Sequence, residues 1–434
     1  MNVPRSSRSL LPRFARVLAA ALVFAVVAGA AWAGPTVAIV KGTDVPKMVA
    51  EAMDLLGGVK QFVKDGQKVV IKPNVVGQPC LNRWGRFRGP KKVRNDLTTD
   101  VRIAGALARQ MLKAARCKIT IAEGTPNHLP SLYEFLGYTK LSKELGIDLV
   151  DVDAAKRMIV KRKDLIAREQ YEMPVVTQTC DVLVNMPVMK THQLAVVTLG
   201  MKNLFGLLPL PKNRFHRKYN GVLCDLVRMR RPDLVIVDGL VATEGQGPLQ
   251  GTPIRMDLIV AGRDIVAVDT VCTVIMGFDP RRVQHLVLAH ENGLGETDLD
   301  KITIKGAPIA SVRRQLKHAR WWAAIELDYS EKLIEKLLKL ADHVHKGRRG
   351  EWRAMSFDAR HLKVDKKKYP TRESAGFRIN MMWPPRPGKI VIEVPFKAMY
   401  EENGRAAADE MAEWIRQNLG KDVKMVKNPW AEAP

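Results

Sequence analysis

Short apolar runs alternate with amphipathic stretches along most of the chain from Gly34 onward. The runs are rich in β-branched residues and are bounded by Asp, Gly, Pro or Lys, which is typical of strands buried on both faces. The expected strands are TVAIV, KVVIK, KITIAEG, IDLVDVD, DVLVNMP, DLVIVDG and DLIVAG. Because helical stretches separate them, the pattern predicts an α/β fold whose mostly parallel sheet is flanked by helices.

The intervening stretches carry apolar residues at helical spacing. The clearest are PKMVAEAMDLLGG, VRIAGALARQMLKAA and IVAVDTVCTVIMG. The first ends at Gly57 and Gly58, as helix C-termini commonly do. Asp269 lies inside the third, where a buried charge is costly alone, so we expect it to pair with a lysine or arginine of the core.

The pattern changes in the C-terminal part, so the sequence from residue 34 onward is predicted to form three units. Residues 34–310 form the α/β domain, and residues 311–372 form a basic helical segment. There, ARWWAAIELDYSEKLIEKLLKLADHVHKG predicts one or two amphipathic helices that pack their Trp and Leu on the core. The alternatives are a lid, an appended helical unit or a membrane-surface element. In residues 373–434, KIVIEVPF, an Ala/Glu-rich helix from Asn403 to Leu419 and DVKMVKNP predict a small C-terminal β-α-β unit.

Residues 1–33 predict a secretory signal peptide outside the fold. Arginines precede the apolar stretch VLAAALVFAVVAGA, and Ala31, Trp32 and Ala33 supply a small-x-small cleavage site. The apolar run is shorter than the roughly 20 residues of a spanning helix, and an uncleaved membrane anchor is the alternative. We therefore expect a periplasmic or secreted protein.

The chain is strongly basic, with 70 Lys and Arg against 45 Asp and Glu and a net charge of +25. Such a balance favours anionic partners. The patch NRWGRFRGPKKVR, from Asn82, interleaves aromatic and basic residues and would suit nucleic acid in a cytosolic protein. In an exported protein it favours a small anionic molecule, with a membrane or envelope polymer surface as the alternative, and disfavours nucleic acid.

The five cysteines are scattered, and no CxxC pair occurs. The spacing therefore matches neither a zinc ribbon nor a local iron–sulfur motif. In an oxidising compartment one or two disulfides could form. At least one thiol would stay unpaired within the chain, because the count is odd.

Polar side chains follow several predicted strands at the point where each strand ends. In open α/β sheets, ligands bind beyond the carboxyl ends of the strands, so we expect these side chains to line one crevice. They are Lys72, Asn74, Glu123, Lys190, His192, Asp238 and Glu244. The alternative for each one is a turn or cap residue.

The stretch DVLVNMPVMKTHQLAVVTLGMKNLFGLLP, residues 181–209, concentrates the candidate chemistry. A buried strand releases Lys190 and His192, and Lys202 lies ten residues after the histidine, beside Asn203. Neighbouring ammonium groups favour a neutral imidazole. His192 could therefore act as a general acid or base or as a metal ligand while the lysines hold an anion. The alternative is a histidine that is merely hydrogen-bonded in a loop.

A resemblance to DUF362, an uncharacterised prokaryotic family, spans roughly Val69 to Pro280. It is carried by VVIKPNVVG, IAEGTPN, LVNMPVMKTHQLAVVTLGMKNLFGLLP, VDGLVATEGQGP and LIVAGRDIVAVDTVCTVIMGFDP. The resemblance implies an α/β domain without an assigned reaction. Many relatives append a ferredoxin-like domain with cysteine clusters, which this chain lacks, so an iron–sulfur cluster is not expected.

The same stretch also resembles the nickel-pincer lactate racemase group. Its members carry a K-x-H segment and, ten residues after the histidine, a lysine that tethers the cofactor. Lys190, His192 and Lys202 fall on this pattern. The group's later metal-binding histidine has no counterpart at the same spacing, although His216 lies nearby. The resemblance implies a cleft between two α/β units that His192 and Lys202 face.

Together these features predict an exported enzyme that acts on a small anionic substrate by proton transfer or redox chemistry. The sequence does not identify its cofactor, and a metal or a metal-containing group is compatible. The expected catalytic residues are His192, Lys202 and Lys190, and His192 is also the expected metal ligand. The expected cofactor-binding residues are Lys72, Asn74, Asn203, Glu123, Asp238 and Glu244. The alternative is a non-catalytic envelope protein that binds anionic ligands or polymers.

Overall fold

The structure, a computed structural model, describes residues 34–319 apart from 79, 81–92, 126–127 and 193–194. Beyond residue 319 it describes a set of strands and a few helical residues. The predicted signal peptide and most of the basic patch from Asn82 lie outside the described residues.

The strands before residue 319 form a ten-stranded sheet and a separate two-stranded ribbon of β5 and β6. In chain order they are β1 (Thr36–Lys41), β2 (Lys68–Pro73), β3 (Lys118–Glu123), β4 (Asp148–Asp151), β5 (Arg157–Lys161), β6 (Gln170–Pro174), β7 (Val182–Met186), β8 (Val188–His192), β9 (Val196–Thr198), β10 (Leu234–Glu244), β11 (Thr252–Gly262) and β12 (Thr303–Gly306). The order in the main sheet is β12-β1-β11-β10-β7-β2-β3-β4, with β8 paired to β10 and β9.

Most neighbouring strands of this sheet are parallel. β2 runs parallel to β3 and β7, β3 runs parallel to β4, and β10 runs parallel to β7 and β8. β11 is antiparallel to both β1 and β10, and β9 is antiparallel to β8. The sheet is therefore mixed but mostly parallel, and the predicted α/β class is confirmed.

Helices cover both faces of the sheet. In chain order the described ones are α1 (Val45–Leu55), α2 (Val101–Ala114), α3 (Leu129–Phe135), α4 (Tyr138–Leu145), α5 (Val175–Gln178), α6 (Gly200–Asn203), α7 (Tyr219–Met229), α8 (Ile265–Ile275), α9 (Gln284–Glu291) and α10 (Ile309–Val312). Val69 and Ile71 of β2 belong to one buried cluster with α1 and α2, whereas Val70 belongs to a second cluster with α7, α8 and α9. Successive side chains point to opposite faces of a strand, so both faces need apolar residues.

Lys190 and His192 lie on a further strand, β8, whereas the sequence predicts them just beyond the end of a buried strand. Pro187 separates β8 from β7, and it interrupts the ladder because proline has no N–H to donate. The carbonyl of Pro187 still accepts the N–H of Asp238 at 2.8 Å. Pairing with β10 then resumes at Val188, so the polar residues continue along the sheet.

The strands beyond residue 319 form a second, six-stranded sheet in the order β14-β15-β16-β17-β13-β18. They are β13 (Ala324–Asp328), β14 (His343–Lys346), β15 (Trp352–Phe357), β16 (Phe377–Asn380), β17 (Lys389–Glu393) and β18 (Lys424–Val426). Every pairing in this sheet is antiparallel. β17 and β18 coincide with the two strands predicted for the C-terminal unit, but β13 lies between them.

The predicted helices of the basic segment are wrong over Ala324–Asp328 and His343–Lys346, which are strands. Ile325 and Leu327 alternate with acidic residues, and so short a run fits the period of a strand as well as that of a helix. Between these strands the described helical residues are Lys332, Glu335, Lys336 and Lys339. Most of the helix predicted from Asn403 to Leu419 lies outside the described residues.

In the structure no disulfide joins any two of the five cysteines, all of which lie among the described residues. They are Cys80, Cys117, Cys180, Cys224 and Cys272. None of the described helices combines the length and the apolar character that a membrane crossing requires.

Asp264 caps the buried helix α8, since its Oδ1 accepts the N–H groups of Val266 and Ala267 at 2.8 and 3.1 Å. Asp264→Ala should lower the free energy of unfolding, measured by urea denaturation, by about 1–2 kcal/mol. Glu51→Ala, on the exposed face of α1, is the control and should change it by less than about 0.5 kcal/mol. Equal effects of the two substitutions would show that the cap does not stabilise the protein.

Candidate functional site

The ends of β2 and β3 are joined by a buried ion pair. Lys72 Nζ lies 2.9 and 3.0 Å from the carboxylate oxygens of Glu123, and both side chains are buried. Glu123 also accepts the N–H groups of Val75 and Gly124. Burial lowers the pKa of Lys72, and the adjacent Glu123 carboxylate opposes that shift. A Cβ at Gly206 would lie 2.6 Å from Glu123 Oε1, so the pair fits only beneath a glycine.

A second buried network links β2, β7, β8 and α6. Lys190 Nζ donates to Asn74 Oδ1 at 2.7 Å and to the carbonyl of Leu97 at 2.9 Å. Asn74 Nδ2 donates to Asn203 Oδ1 at 2.9 Å, and Asn203 Nδ2 donates to Asn185 Oδ1 at 2.8 Å. The structure therefore brings these predicted residues together, with Asn185 as a member that the sequence analysis missed. Because they bond to one another, they position the site more than they present a binding surface.

Lys190 is fully buried, and within the described part of the chain it forms no ion pair. Its acceptors are neutral oxygens, which compensate an ammonium less well than a carboxylate does. Burial, followed by the positive charge of Lys202, lowers the pKa of Lys190 to about 7. A large share of Lys190 is therefore neutral at neutral pH.

Lys202 carries the least satisfied amine of the site. Its Nζ lies 4.5 Å from the ring centre of Phe205 and 5.8 Å from that of Tyr219, and it makes no hydrogen bond or ion pair with a described residue. Burial, followed by the charges of Lys72 and Lys212, lowers its pKa to about 7. The ring contacts favour the ammonium, but such a contact is worth about 1 kcal/mol, less than one unit of pKa. The ring contacts therefore do not restore the ordinary pKa of a lysine.

Asp269 fixes the short helix α6 that carries Lys202 and Asn203. Its Oδ1 accepts the N–H of Gly200 at 2.7 Å, and its Oδ2 accepts the N–H of Met201 at 2.8 Å. The expectation that Asp269 pairs with a lysine or arginine is therefore wrong, because backbone amides satisfy this carboxylate. Burial raises the pKa of Asp269 to about 7, against the opposing effect of those amides.

His192 lies at the end of β8, buried, with its ring centre 6.1 Å from that of Tyr219. Its Nδ1 accepts the N–H of Ala195 at 3.2 Å, so the neutral ring carries its proton on Nε2. Burial, followed by the charge of Lys202, holds the pKa of His192 well below its usual value. Val196, opposite His192 in the β8–β9 pair, has a φ of 66°, which costs a residue other than glycine about 1–3 kcal/mol. The imidazole of His192 thus lies across from a strained backbone position, Val196.

Side chains from α7 and α9 complete the surroundings, and the sequence analysis missed both Tyr219 and His285. Tyr219 Oη and both ring nitrogens of His285 are buried without a hydrogen-bond partner among the described residues. Burial, followed by the charge of Lys202, lowers the pKa of His285 to about 3. His216, which is exposed, stacks on Phe205 with 5.4 Å between the ring centres. No motif marks these residues, which lie in helical segments of ordinary spacing.

Asp238 and Glu244 lie on β10 and bond away from the other predicted site residues. Asp238 accepts the N–H groups of Asp100 and Leu240 at 2.8 and 3.0 Å, and burial raises its pKa to about 7. Glu244 accepts the N–H of Lys317 at 2.9 Å. Both carboxylates therefore hold neighbouring backbone in place, and their binding of a cofactor stays a prediction.

Metal ligation needs several donors around one point. In the part of the chain that the structure describes, no three His, Cys, Asp or Glu side chains are grouped in that way. A metal held by protein side chains alone therefore does not fit the residues around His192, and we derive no step through one. The role of His192 as a metal ligand stays a prediction.

Residues 69–274 match the family model described as a domain of unknown function, DUF362. The chain carries a DUF362 domain. This DUF362 domain contains every site residue predicted from the sequence, from Lys72 to Glu244, whereas His285 lies beyond its last matched residue.

A thylakoid-associated protein of Synechocystis sp. is similar to this chain, with 28% identity over 254 residues, or 56% of this chain and 74% of that protein. Among solved structures, the lactate racemase apoprotein from Thermoanaerobacterium thermosaccharolyticum is similar with a TM-score of 0.32 and 13% identity, over 56% of this chain and 57% of that one. A structural-genomics protein from Thermotoga maritima has a TM-score of 0.33 and 10% identity, over 54% and 60%. The chain thus spans less than two thirds of each solved chain.

Lys72→Met would leave Glu123 buried without its cation. Breaking a buried pair in this way should lower the free energy of unfolding by about 3–5 kcal/mol, measured by urea denaturation at pH 7. Lys68→Met, at the exposed start of the same strand, is the matched control and should cost less than about 0.5 kcal/mol. Adding Glu123→Leu to Lys72→Met should recover part of the loss, and no recovery would contradict this explanation.

Proposed function

We propose that the DUF362 domain is an enzyme that binds a small anionic molecule at Lys202 and transfers a proton with the help of His192. The observation that carries this proposal is the amine of Lys202, which lies over two aromatic rings without an ion pair among the described residues. A carboxylate or phosphate on the incoming molecule would supply the missing counter-charge. Contacts between opposite charges are strongest where water is scarce.

The charges around Lys202 support an anion as the ligand. Lys72 pairs with Glu123, and Lys212 Nζ lies 3.1 Å from Asp153. Lys190 and Lys202 have no such partner in the described region, so the buried site has more amines than carboxylates to balance them. A bound anion would relieve that excess, because it favours the protonated form of both amines.

Ligand binding would also prepare His192 for proton transfer. The charge of Lys202 is the second cause of the low pKa of this histidine, after burial. An anion placed on Lys202 would offset that charge and raise the basicity of His192 towards its ordinary value. His192 could then take a proton from the bound molecule, as general bases with a pKa near the working pH do.

A non-catalytic envelope protein that binds anionic ligands or polymers is the second candidate, and it rests on the net charge of +25. Binding through a dispersed basic surface would weaken with added salt and would survive changes at His192 and Lys202. We also propose export to the periplasm or the medium, on the basis of the pattern in residues 1–33 alone.

Anion affinity should fall as the pH rises through the pKa of Lys202, which is about 7. Only the ammonium attracts an anion, so the affinity for a carboxylate whose own charge is constant should drop by up to about a hundredfold between pH 6 and pH 9. Isothermal titration calorimetry on hits from a panel of small carboxylates would measure it. Lys202→Arg stays charged throughout and should flatten the profile. A flat profile in the unmodified protein would contradict the assignment.

Proton transfer by His192 should appear as exchange between the bound molecule and solvent. In D2O the protein should introduce deuterium at an acidic C–H of the bound carboxylate, followed by NMR. His192→Gln should slow this exchange by about 10²-fold or more, within the usual contribution of a general base, and should leave the affinity within a few-fold. His318→Gln alters another buried histidine and is the control. Exchange that is unaffected by His192→Gln would favour the non-catalytic candidate.

A further inference from the structure

We propose that Lys202 is also a nucleophile, and that its amine forms an imine with a 2-oxo acid bound at the same site. The inference rests on the proposed anion site and deepens it by naming the substrate class, a small carboxylate with a ketone or aldehyde beside it. The geometry that points to this chemistry is an amine fixed on a short helix, set against aromatic rings, and lacking an acceptor of its own among the described residues.

The lysines around the site differ in what their amines contact. Three of them are engaged, and their acceptors include Glu123 for Lys72, Asn74 for Lys190, and Asp153 with the carbonyls of Gly124 and Gly206 for Lys212. Lys202 donates to none of the described residues. Its nitrogen can therefore approach a carbonyl carbon without first breaking a hydrogen bond.

The backbone that carries this amine is fixed from two sides. Asp269 holds the first amides of α6, and Asn203, next in the chain, is locked to Asn74 and Asn185. The rings of Phe205 and Tyr219 form a wall beside Nζ. A nucleophile held in this way loses little conformational freedom when the bond forms.

The low pKa of Lys202 favours the reaction as well. Burial and the charges of Lys72 and Lys212 lower the pKa of Lys202 to about 7, so a substantial share of it is the neutral amine at pH 7. An ordinary lysine has fewer than about one neutral amine in a thousand at that pH. Desolvation and a neighbouring cation are the two ways in which proteins activate a lysine for imine formation.

The step balances without an added oxidant or reductant. The lone pair of Lys202 forms a C–N bond while the C=O π pair moves to oxygen, which takes a proton. Loss of both amine protons and departure of that oxygen as water then leaves the C=N bond. Tyr219 Oη lacks a hydrogen-bond partner among the described residues. It lies at the start of α7, which packs against α6, and can carry these protons.

The test is reductive trapping on the full chain. The protein is incubated with pyruvate and sodium cyanoborohydride, digested, and mapped by mass spectrometry. We expect a secondary-amine adduct at Lys202 that forms at least about tenfold faster at pH 7.5 than at the exposed Lys163, because far more of Lys202 is neutral. With pyruvate kept at a saturating concentration at every pH, the rate at Lys202 should rise between pH 6 and pH 8 and then level off, whereas the rate at Lys163 should keep rising above pH 9.

The outcomes separate this inference from the proposed function. If Lys202 reacts no faster than Lys163 but still sets the pH dependence of anion affinity, the nucleophile is refuted and the anion site stands. If Lys202 reacts no faster than Lys163 and also does not set the pH dependence of anion affinity, both proposals fail. Lys202→Arg should abolish the adduct and retain anion binding. Its thermal unfolding midpoint, compared with that of the unmodified protein, shows that the fold is kept.

Tyr219→Phe provides a second variant that should fold. It removes only Oη, which has no hydrogen-bond partner among the described residues, so stability should not fall. We expect trapping at Lys202 to slow by about tenfold, at the low end of what one proton-transferring group contributes, with the pH at which the rate levels off unchanged. An unchanged trapping rate would remove Tyr219 from the proposed step.

Discussion

The burial of several amines in one place is the constraint on which the rest of the site depends. Lys72 and Lys212 have carboxylate partners, Lys190 has only neutral acceptors, and Lys202 has two aromatic rings. Removing a cation from water is expensive unless a charge compensates it. The least compensated amines therefore give up their protons most readily. The ammonium of Lys202 predominates below neutral pH and its free amine above it, and our two proposals use one form each.

The frame around these amines is rigid because its polar groups are already satisfied. Asp269 bonds to the start of α6, and Asn203 bonds to its neighbours on β2 and β7. Gly206 allows the backbone to pass over the ion pair of Lys72 and Glu123. A site supported by locked neighbours is held in place before any ligand arrives. Hydrogen bonds among several of the predicted binding residues thus support the backbone that carries Lys202.

Hydrophobic periodicity predicted the strands of the main sheet well, because strands covered on both faces are apolar throughout. The same criterion predicted a helix at Ala324–Asp328, which is a strand, because so few alternating residues fit the period of a helix as well as that of a strand. For the site, Lys190, His192 and Lys202 could be predicted because one short stretch holds them all. Asp238 was expected at a strand end, but β10 continues beyond it to Glu244. Tyr219 and His285 reach the site through helix packing, which the spacing of residues does not reveal.

The position of β1 in the sheet has a consequence for synthesis. β1 pairs only with β11 and β12 among the described strands, so that Val37 faces both Gly262 and Ile304. Contacts between such distant parts of a chain form late. A nascent chain on the ribosome would therefore carry this apolar segment without a partner until translation had passed Gly306, and an unpaired strand of that kind invites aggregation. Shielding of the N-terminal segment by a chaperone would matter more here than in a protein whose first strands pair with each other.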